Sequence, residues 1–558
     1  MERTLAGETE SLKEFALGID VYERRPDYDP ANDSIVRVEA QRLRRKLREY
    51  YAGPGGSDPV VISLRPGSYV PVFSRKDKTA AARSNTGTAG EAARPLDSNT
   101  VAVLPFENLS PDADQNLFCE GIAEEIIHRL ASLSGLRVLG VTTVAAMRSA
   151  AEGLLPTCRR LGVGTLIEGS VRTSGDRLRI SAKAVGVGSG RTRWSRRFDR
   201  RGGDVFHLQD EIAQEVALAM QPPASAPTPP AASHRPASAA YILYLKGKQI
   251  LDDGIRESCA AAIDFFQQSV ELERSFALPH CGLAQVYHWM AFLGWMRPRE
   301  AYPKSRLAAL EALRLDPLSA DAHVALAQVL LRFEGDWSGA AAAASHALEL
   351  NPSCGLAHST LANCALLEAR FDEAVASFER ATELDPLSHR TTSALGTGYW
   401  FAGKFDEAEH WLRMGLKLSA GSSMGRAFLV RLLLSAGRNQ EALELAITDP
   451  PSPIDYFLGA RGAAYAACGD RQSALATVRE LEARAGAEYV DRSALVLIHG
   501  TLGDWDNAFS SLAKALEDRA PIAAFFGVDP LLAPVRSDPR FQSLRISGLR
   551  SLAGHAAE

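Results

Sequence analysis

The chain has 558 residues, 62 Lys and Arg against 67 Asp and Glu, a formal net charge of -5 and a sequence pI near 6.2. That length exceeds a single hydrophobic core and, at roughly 100–200 residues per domain, calls for three or more units, while the mild acidity excludes a polyanion-binding surface spread over the whole molecule. Seven cysteines without a CxxC pair or zinc-like Cys/His spacing read as reduced, mostly buried small hydrophobes. The N-terminus lacks the apolar run of a signal peptide, and no stretch approaches the ~18 apolar residues of a membrane span, so the expected compartment is the cytoplasm.

In chain order, the first block holds "VRVEAQRLRRKLREYY", Val36 to Tyr51, with six basic and two acidic residues. On a helical wheel Val36, Ala40, Leu43, Leu47 and Tyr50 form an apolar stripe expected to face a core. Arg37, Gln41, Arg44, Arg45 and Arg48 fall largely on the opposite side. After the turn "YAGPGGSDP", the stretch "VVISLRPGSYVPVF" alternates around Pro66 and Gly67 and predicts a β-hairpin. "VRVEAQRLRRKL" is similar to the recognition helix of OmpR/PhoB-type winged-helix domains, "VISLRPGSYV" to their wing, and "SLKEFALGIDVYERRPDYDPANDS" to the preceding helix and turn.

That resemblance implies an α+β winged helix over 1–78, cut short because "MERTLAGETE" stands where the family has its first helix and leading strands. It also implies double-stranded DNA as partner, with Arg37, Gln41, Arg44 and Arg45 facing the major groove, Arg48 on phosphates and Arg65 near the wing. Leu43, Leu47 and Tyr69 would be structural. The block carries 14 basic and 13 acidic residues, so a solvated basic helix face packed against another domain is the competing reading.

Small polar residues over 79–98 and the proline-rich stretch over 221–240 predict linkers. Between them, "TVAVLPFENLS" predicts a strand and "NLFCEGIAEEIIHRLASL" a helix with Leu117, Ile122, Ile126, Ile127 and Leu130 on one face. "LRVLG" reads as a strand, "LPTCRRLGV" as a helix, and the segment from Thr165 to Phe198 as three strands with turns at Ser174–Gly175 and Gly188–Gly190. A last helix, "VFHLQDEIAQEVALAM", closes an α/β domain over 99–220. "GVGSG" lacks the helix that follows a dinucleotide fingerprint and the GK[ST] of a Walker loop, so it predicts a hairpin turn. "VAVLPFENLS", "LIEGSVR" and "FHLQDEIAQEVA" resemble the TolB amino-terminal-like module of bacterial signalling proteins, which implies a noncatalytic interaction domain.

The remaining block repeats. The phrases "GDWSGA", "ARFDEA", "GKFDEA", "GRNQEA", "GDRQSA" and "GDWDNA" end at Ala340, Ala374, Ala408, Ala442, Ala474 and Ala508, spaced 34, 34, 34, 32 and 34. This is the period of the tetratricopeptide repeat, and two degenerate units before it bring the expected array to about eight over 241–520. Small residues Ala362, Gly396 and Gly462 mark the close approach of paired helices. Trp337, Phe371, Phe405 and Trp505 should plug the gaps between hairpins, and Pro317, Pro352 and Pro386 stop the second helices. An all-α superhelix of this kind offers a concave groove to a protein or peptide. The closing segment over 521–558 is expected to cap the array's exposed end.

No HExxH, GxSxG or P-loop occurs, so neither catalysis, nor a cofactor, nor a small-molecule substrate is expected. The leading expectation is a cytoplasmic DNA-binding transcriptional regulator with a partner-binding repeat array. The alternative is a pure protein-interaction scaffold.

Overall fold

The structure, a computed structural model, describes residues 95–110, 115–174, 177–201, 205–220, 238–251, 256–447 and 454–544, with two strands and scattered positions before them. The chain divides into two compact units, Met1–Ala92 and Ala93–Glu558, each described by itself. In the first, the described positions between 36 and 50 are helical. Strand β1 (Val60–Leu64) pairs antiparallel with β2 (Pro71–Arg75), Val60 opposite Arg75 and Leu64 opposite Pro71. The predicted hairpin is therefore present.

The second unit opens with a six-stranded mixed sheet. Its strands are β3 (Asp97–Val103), β4 (Glu107–Asn108), β5 (Arg137–Val138), β6 (Val163–Ser174), β7 (Arg177–Gly186) and β8 (Thr192–Arg201), in the order β5-β3-β6-β7-β8 with β4 on β6. The first three pairings are parallel and the β6-β7-β8 meander is antiparallel. Period-two alternation sends successive side chains of β3 to opposite faces. Val101 and Val103 join one core with Ile122, Ile126 and Leu130 of α1 (Gln115–Ala131) and Ile212 and Val216 of α4 (Val205–Met220). Ala102 and Leu104 join another with Val144 and Met147 of α2 (Val141–Ser149) and Cys158 of α3 (Leu154–Arg160). Helix α2 was absent from the sequence reading.

The rest is helical. Eight hairpins run from Ser238 to Glu517 among the described residues: α5 (Ser238–Leu251) with α6 (Arg256–Leu272), α7 (Ala277–Phe292) with α8 (Pro298–Leu315), and α9 (Ala320–Val329) with α10 (Trp337–Leu350). Then come α11 (Gly355–Leu367) with α12 (Phe371–Leu384), α13 (His389–Phe401) with α14 (Phe405–Leu418), and α15 (Ser423–Ser435) with α16 (Asn439–Ile447). Last are α17 (Asp455–Ala467) with α18 (Arg471–Arg484) and α19 (Ser493–Leu502) with α20 (Trp505–Glu517). All six closing alanines have no exposed surface. A Cβ on Gly396 would stand 2.8 Å from Leu412 Cγ and 3.0 Å from the Ala408 carbonyl, so the close approach expected there is real.

The aromatic plugs are less uniform. Trp337, Phe371 and Trp505 pack against the core, but Phe405, at the same place in its helix, is exposed.

Proline shapes the turns that follow. It pushes the preceding residue into extended backbone, and Asp316 and Asn351 leave their helices in that conformation, while Asp385 leaves its helix at φ -137° and ψ 66°. One of these turns holds the sheet domain. Helix α2 starts after Gly140 with no side-chain cap of its own, and the Asp385 carboxylate accepts the Thr143 N–H at 2.8 Å. Thr143 Oγ1 accepts the Leu387 N–H at 2.9 Å, and the Gly140 N–H donates to the Leu384 carbonyl at 2.8 Å. Leu117, expected on the α1 core face, packs instead beside Tyr241 of α5.

Asp385→Ala removes this cap in trans and is expected to cost about 1–3 kcal/mol of docking stability. Hydrogen exchange at the α2 amides reads it: faster exchange at Thr143 in Asp385→Ala, with much less change in Asp385→Asn, whose amide oxygen still accepts.

Candidate functional site

The six residues expected to face DNA, Arg37, Gln41, Arg44, Arg45, Arg48 and Arg65, lie outside the described residues, as does Tyr69. Of the apolar stripe beside them, Val36 and Ala40 are buried, but Leu43 and Tyr50 are each 46% exposed. The stripe was expected to be shut from water along its length. It is shut over its first turn, and the Tyr50 hydroxyl turns to Asp58 Oδ2 at 3.1 Å.

First helices, among them α7, α11, α13 and α15, line an inner channel, and the two ends of the array meet. Arg256 Nη1 donates to Glu488 Oε2 at 2.9 Å, Arg299 Nε to the Glu517 carbonyl at 2.7 Å, and Arg519 Nη1 to the Phe333 carbonyl at 3.2 Å. The repeat thus closes into a ring. The segment expected to cap the array's end packs on the last hairpin, with Ala523 clustered with Ala515 and Arg540 over Phe509, and also reaches the inner helices, with Phe525 packing edge-on to Phe401 and Phe526, Leu532 and Val535 in the main core. Apolar side chains there escape water on more sides than at an open end. Asp529 forms a buried ion pair with Arg431, whose guanidinium stacks on Trp400 at 5.1 Å and Tyr456 at 4.9 Å.

What the tail leaves open is a chamber of about 880 Å³. Trp289, Phe292, Trp295, Phe378 and Phe428 are among its rings, and its cations are Arg332, Arg390 and the carboxylate-paired Arg256 and Arg484. A π turn at Leu330–Glu334, ended by left-handed Gly335, extends α9 and carries Arg332. Its guanidinium lies over Phe292 at 4.9 Å and Phe525 at 5.2 Å, and burial lowers its pKa. Arg390 of the fifth hairpin stacks on Trp289 of the second at 5.2 Å. Neither guanidinium has a carboxylate or hydrogen-bond partner among the described residues. Carboxylates that line the chamber are Glu480 and Glu488, both engaged by arginine, and the exposed Glu257.

The sequence reading missed both arginines, yet carried a signal for them. Eight positions before the closing alanines stand Leu366, Trp400, Leu434, Ala466 and Gly500, with Arg332 the exception. Eighteen before stand Ala322, Leu356, Met424, Tyr456 and Val490, with Arg390 the exception.

Near the ring's seam, burial pushes the Asp455 carboxyl up to about 7 against the Asp491 N–H and Arg484, which favour its charged form. A raised carboxylate pKa gives stability that is complete below the unfolded value, 3.8, and is lost as pH rises through the folded one. Asp455→Asn is neutral throughout. Its unfolding midpoint should therefore gain on the parent's as pH rises from about 5 to about 8, and a difference that stays flat across this range refutes the assignment.

A second charged surface lies on the open face of β6-β7-β8. Arg172, Arg177, Arg179, Lys183 and Arg197 stand exposed there with Asp199 and the half-buried Glu168. Arg172 stands across from Arg179 on the neighbouring strand, a juxtaposition that costs stability. Asp199 holds Arg179 at 2.6 Å and Glu168 holds Lys183 at 2.8 Å. No described helix is long and apolar enough to cross a membrane.

Comparison with known proteins places a tetratricopeptide repeat at residues 331–389. Over 189 residues the chain is 30% identical to a Rhizobium meliloti protein named "Putative adenylate cyclase 3", a match covering 34% of this chain and 32% of that one. The chain thus spans about a third of the length of the curated relative it matches. Among solved structures, a thermophilic TPR protein of Thermus thermophilus is 19% identical with a TM-score of 0.30, covering 35% of this chain and all of that one. A tetratricopeptide repeat protein of Parabacteroides merdae is 15% identical with a TM-score of 0.34, covering 48% and 100%. The C-terminal helical region is a tetratricopeptide-repeat superhelix, preceded by a small mixed sheet.

Proposed function

We propose that the chain is a non-catalytic interaction scaffold whose repeat array holds the sheet domain and recruits a protein partner. The observation that carries this reading is the docking of α2 onto the turn after α12, where Asp385, Leu384 and Leu387 bind a folded protein surface. The array already recognises protein through its inter-repeat turns, since Ser353, after Asn351, also accepts the Val138 N–H at 3.4 Å, and the turn at Asp316 offers further surface. The sequence reading put the partner in the concave groove. With the ring closed and the tail seated, the outer turns suit a protein better.

In this proposal 1–78 is a winged-helix-like domain, 99–220 a TolB amino-terminal-like module, 241–520 the array and 521–558 its cap and tail, with linkers at 79–98 and 221–240, all in the cytoplasm. The test is retention by the immobilised full-length chain of one protein at fixed stoichiometry from a nuclease-treated extract. Retention that nuclease abolishes contradicts the scaffold. Purified chain is expected to form no cyclic AMP from ATP, despite the name of its relative, because the match covers only 32% of that protein.

The basic face of β6-β7-β8 favours a second reading, DNA binding, beside the winged-helix resemblance. Gel retardation with genomic fragments separates the two. The scaffold expects no shifted band even at low salt, where phosphate contacts are strongest. A shift lost in Arg44→Ala with Arg45→Ala favours the regulator, and one lost only in Arg177→Ala with Arg197→Ala assigns the contact to the sheet.

A further inference from the structure

Arg332 and Arg390 are charges at register positions where the other five aligned units are neutral, so the repeat's packing does not require them. Both turn toward one chamber, and both rest on aromatic rings where an ion pair would otherwise be expected. Arg332 is withdrawn from water without an anion, which is costly, and a fold retains that cost where a ligand offsets it; Arg390, exposed, adds a second guanidinium to the same lining. The chamber's volume of about 880 Å³ lies within the range of roughly 300–1,000 Å³ typical of small-molecule sites. A long polypeptide would have to thread a ring whose ends are joined at Arg256–Glu488 and Arg299–Glu517. A compact ligand needs only the mouth.

We propose that this chamber is a receptor site for a small organic anion with a flat apolar body, its acid group meeting Arg332 and Arg390 and its body lying against Trp289, Phe292 and Phe428. Cation and ring are supplied together, as planar anions require: the guanidinium forks donate to the acid oxygens and the ring faces cover the skeleton. The site would make the array a sensor in addition to a scaffold. It goes beyond the protein-partner reading, which a nuclease-resistant partner can support whether or not the chamber binds anything.

Two fluorescent probes that share an aromatic body test it on the full-length chain: anilinonaphthalene sulfonate carries an acid group, and N-phenylnaphthylamine carries none. The expected result is one sulfonate probe per chain, bound about tenfold or more tighter than its uncharged counterpart. Arg332→Met and Arg390→Met should each weaken the sulfonate by about tenfold and leave the uncharged probe unchanged, whereas Trp289→Ala should weaken both. Equal affinity for the two probes, several equivalent sulfonates per chain, or undiminished sulfonate binding in Arg390→Met overturns the proposal. Thermal unfolding of each variant accompanies the titration. Should Arg332→Met fail to fold, Arg390→Met decides, because Arg390 is exposed and its replacement leaves the core untouched.

Discussion

Asp529→Ala is expected to lower stability by about 3–5 kcal/mol, the usual consequence of leaving a buried charge without its partner. Arg431 and Asp529 side chains are each 2% exposed, and burial already pulls the Arg431 pKa down. Without the carboxylate, the guanidinium keeps only the rings of Trp400 and Tyr456. Replacing both partners, Arg431→Met with Asp529→Leu, should cost far less, because neither product leaves a charge behind. Denaturant midpoints read the first effect. Limited proteolysis reads the second consequence, since Asp529 anchors the tail: cleavage within 523–541 should appear in Asp529→Ala and not in the double variant. An unchanged midpoint and a protected tail in Asp529→Ala would mean that the tail is held by its apolar contacts alone.

Phe266→Ala is expected to cost about 3–5 kcal/mol by opening a cavity at the first two hairpins. The ring, 1% exposed, fills a slot that exists because two glycines face it. A Cβ on Gly247 of α5 would come within 2.7 Å of the ring and one on Gly282 of α7 within 2.6 Å. The slot and its occupant are matched in size, which gives the prediction a second arm. Gly282→Ala alone should destabilise by forcing the ring aside, and Phe266→Leu in the same chain should recover part of that loss. Purely additive effects in this double-mutant cycle would show that the ring and the glycine are not the packing pair described.

Much of the array was legible in the sequence. A period near 34 with a fully buried alanine at the same place in each unit reflects local geometry, since two helices joined by a short turn must touch at the same point in every copy. The proline turns were equally legible, because proline acts on the residue just before it. Helix α2 escaped because "VTTVAAMRS" has a weak apolar stripe and no capping side chain of its own; its cap arrives from Asp385, 242 residues later. The stripe of Val36 and its neighbours was read correctly as apolar, but periodicity says which residues share a face and not how far along that face a cover extends.

The sequence by itself determined the repeat unit, the β-hairpin at 60–75, the alternation within the central strands and the register at which Arg332 and Arg390 break the pattern of their neighbours. These depend on backbone preferences and side-chain spacing over a few turns, which short stretches of chain encode. Only the tertiary structure decided that the array closes on itself, that the tail lies inside it and that Arg332 and Arg390, without an ion pair among the described residues, share one chamber. Those facts depend on small rotations summed over eight hairpins and on contacts between residues such as Arg256 and Glu488, 232 positions apart. No local pattern records such a sum.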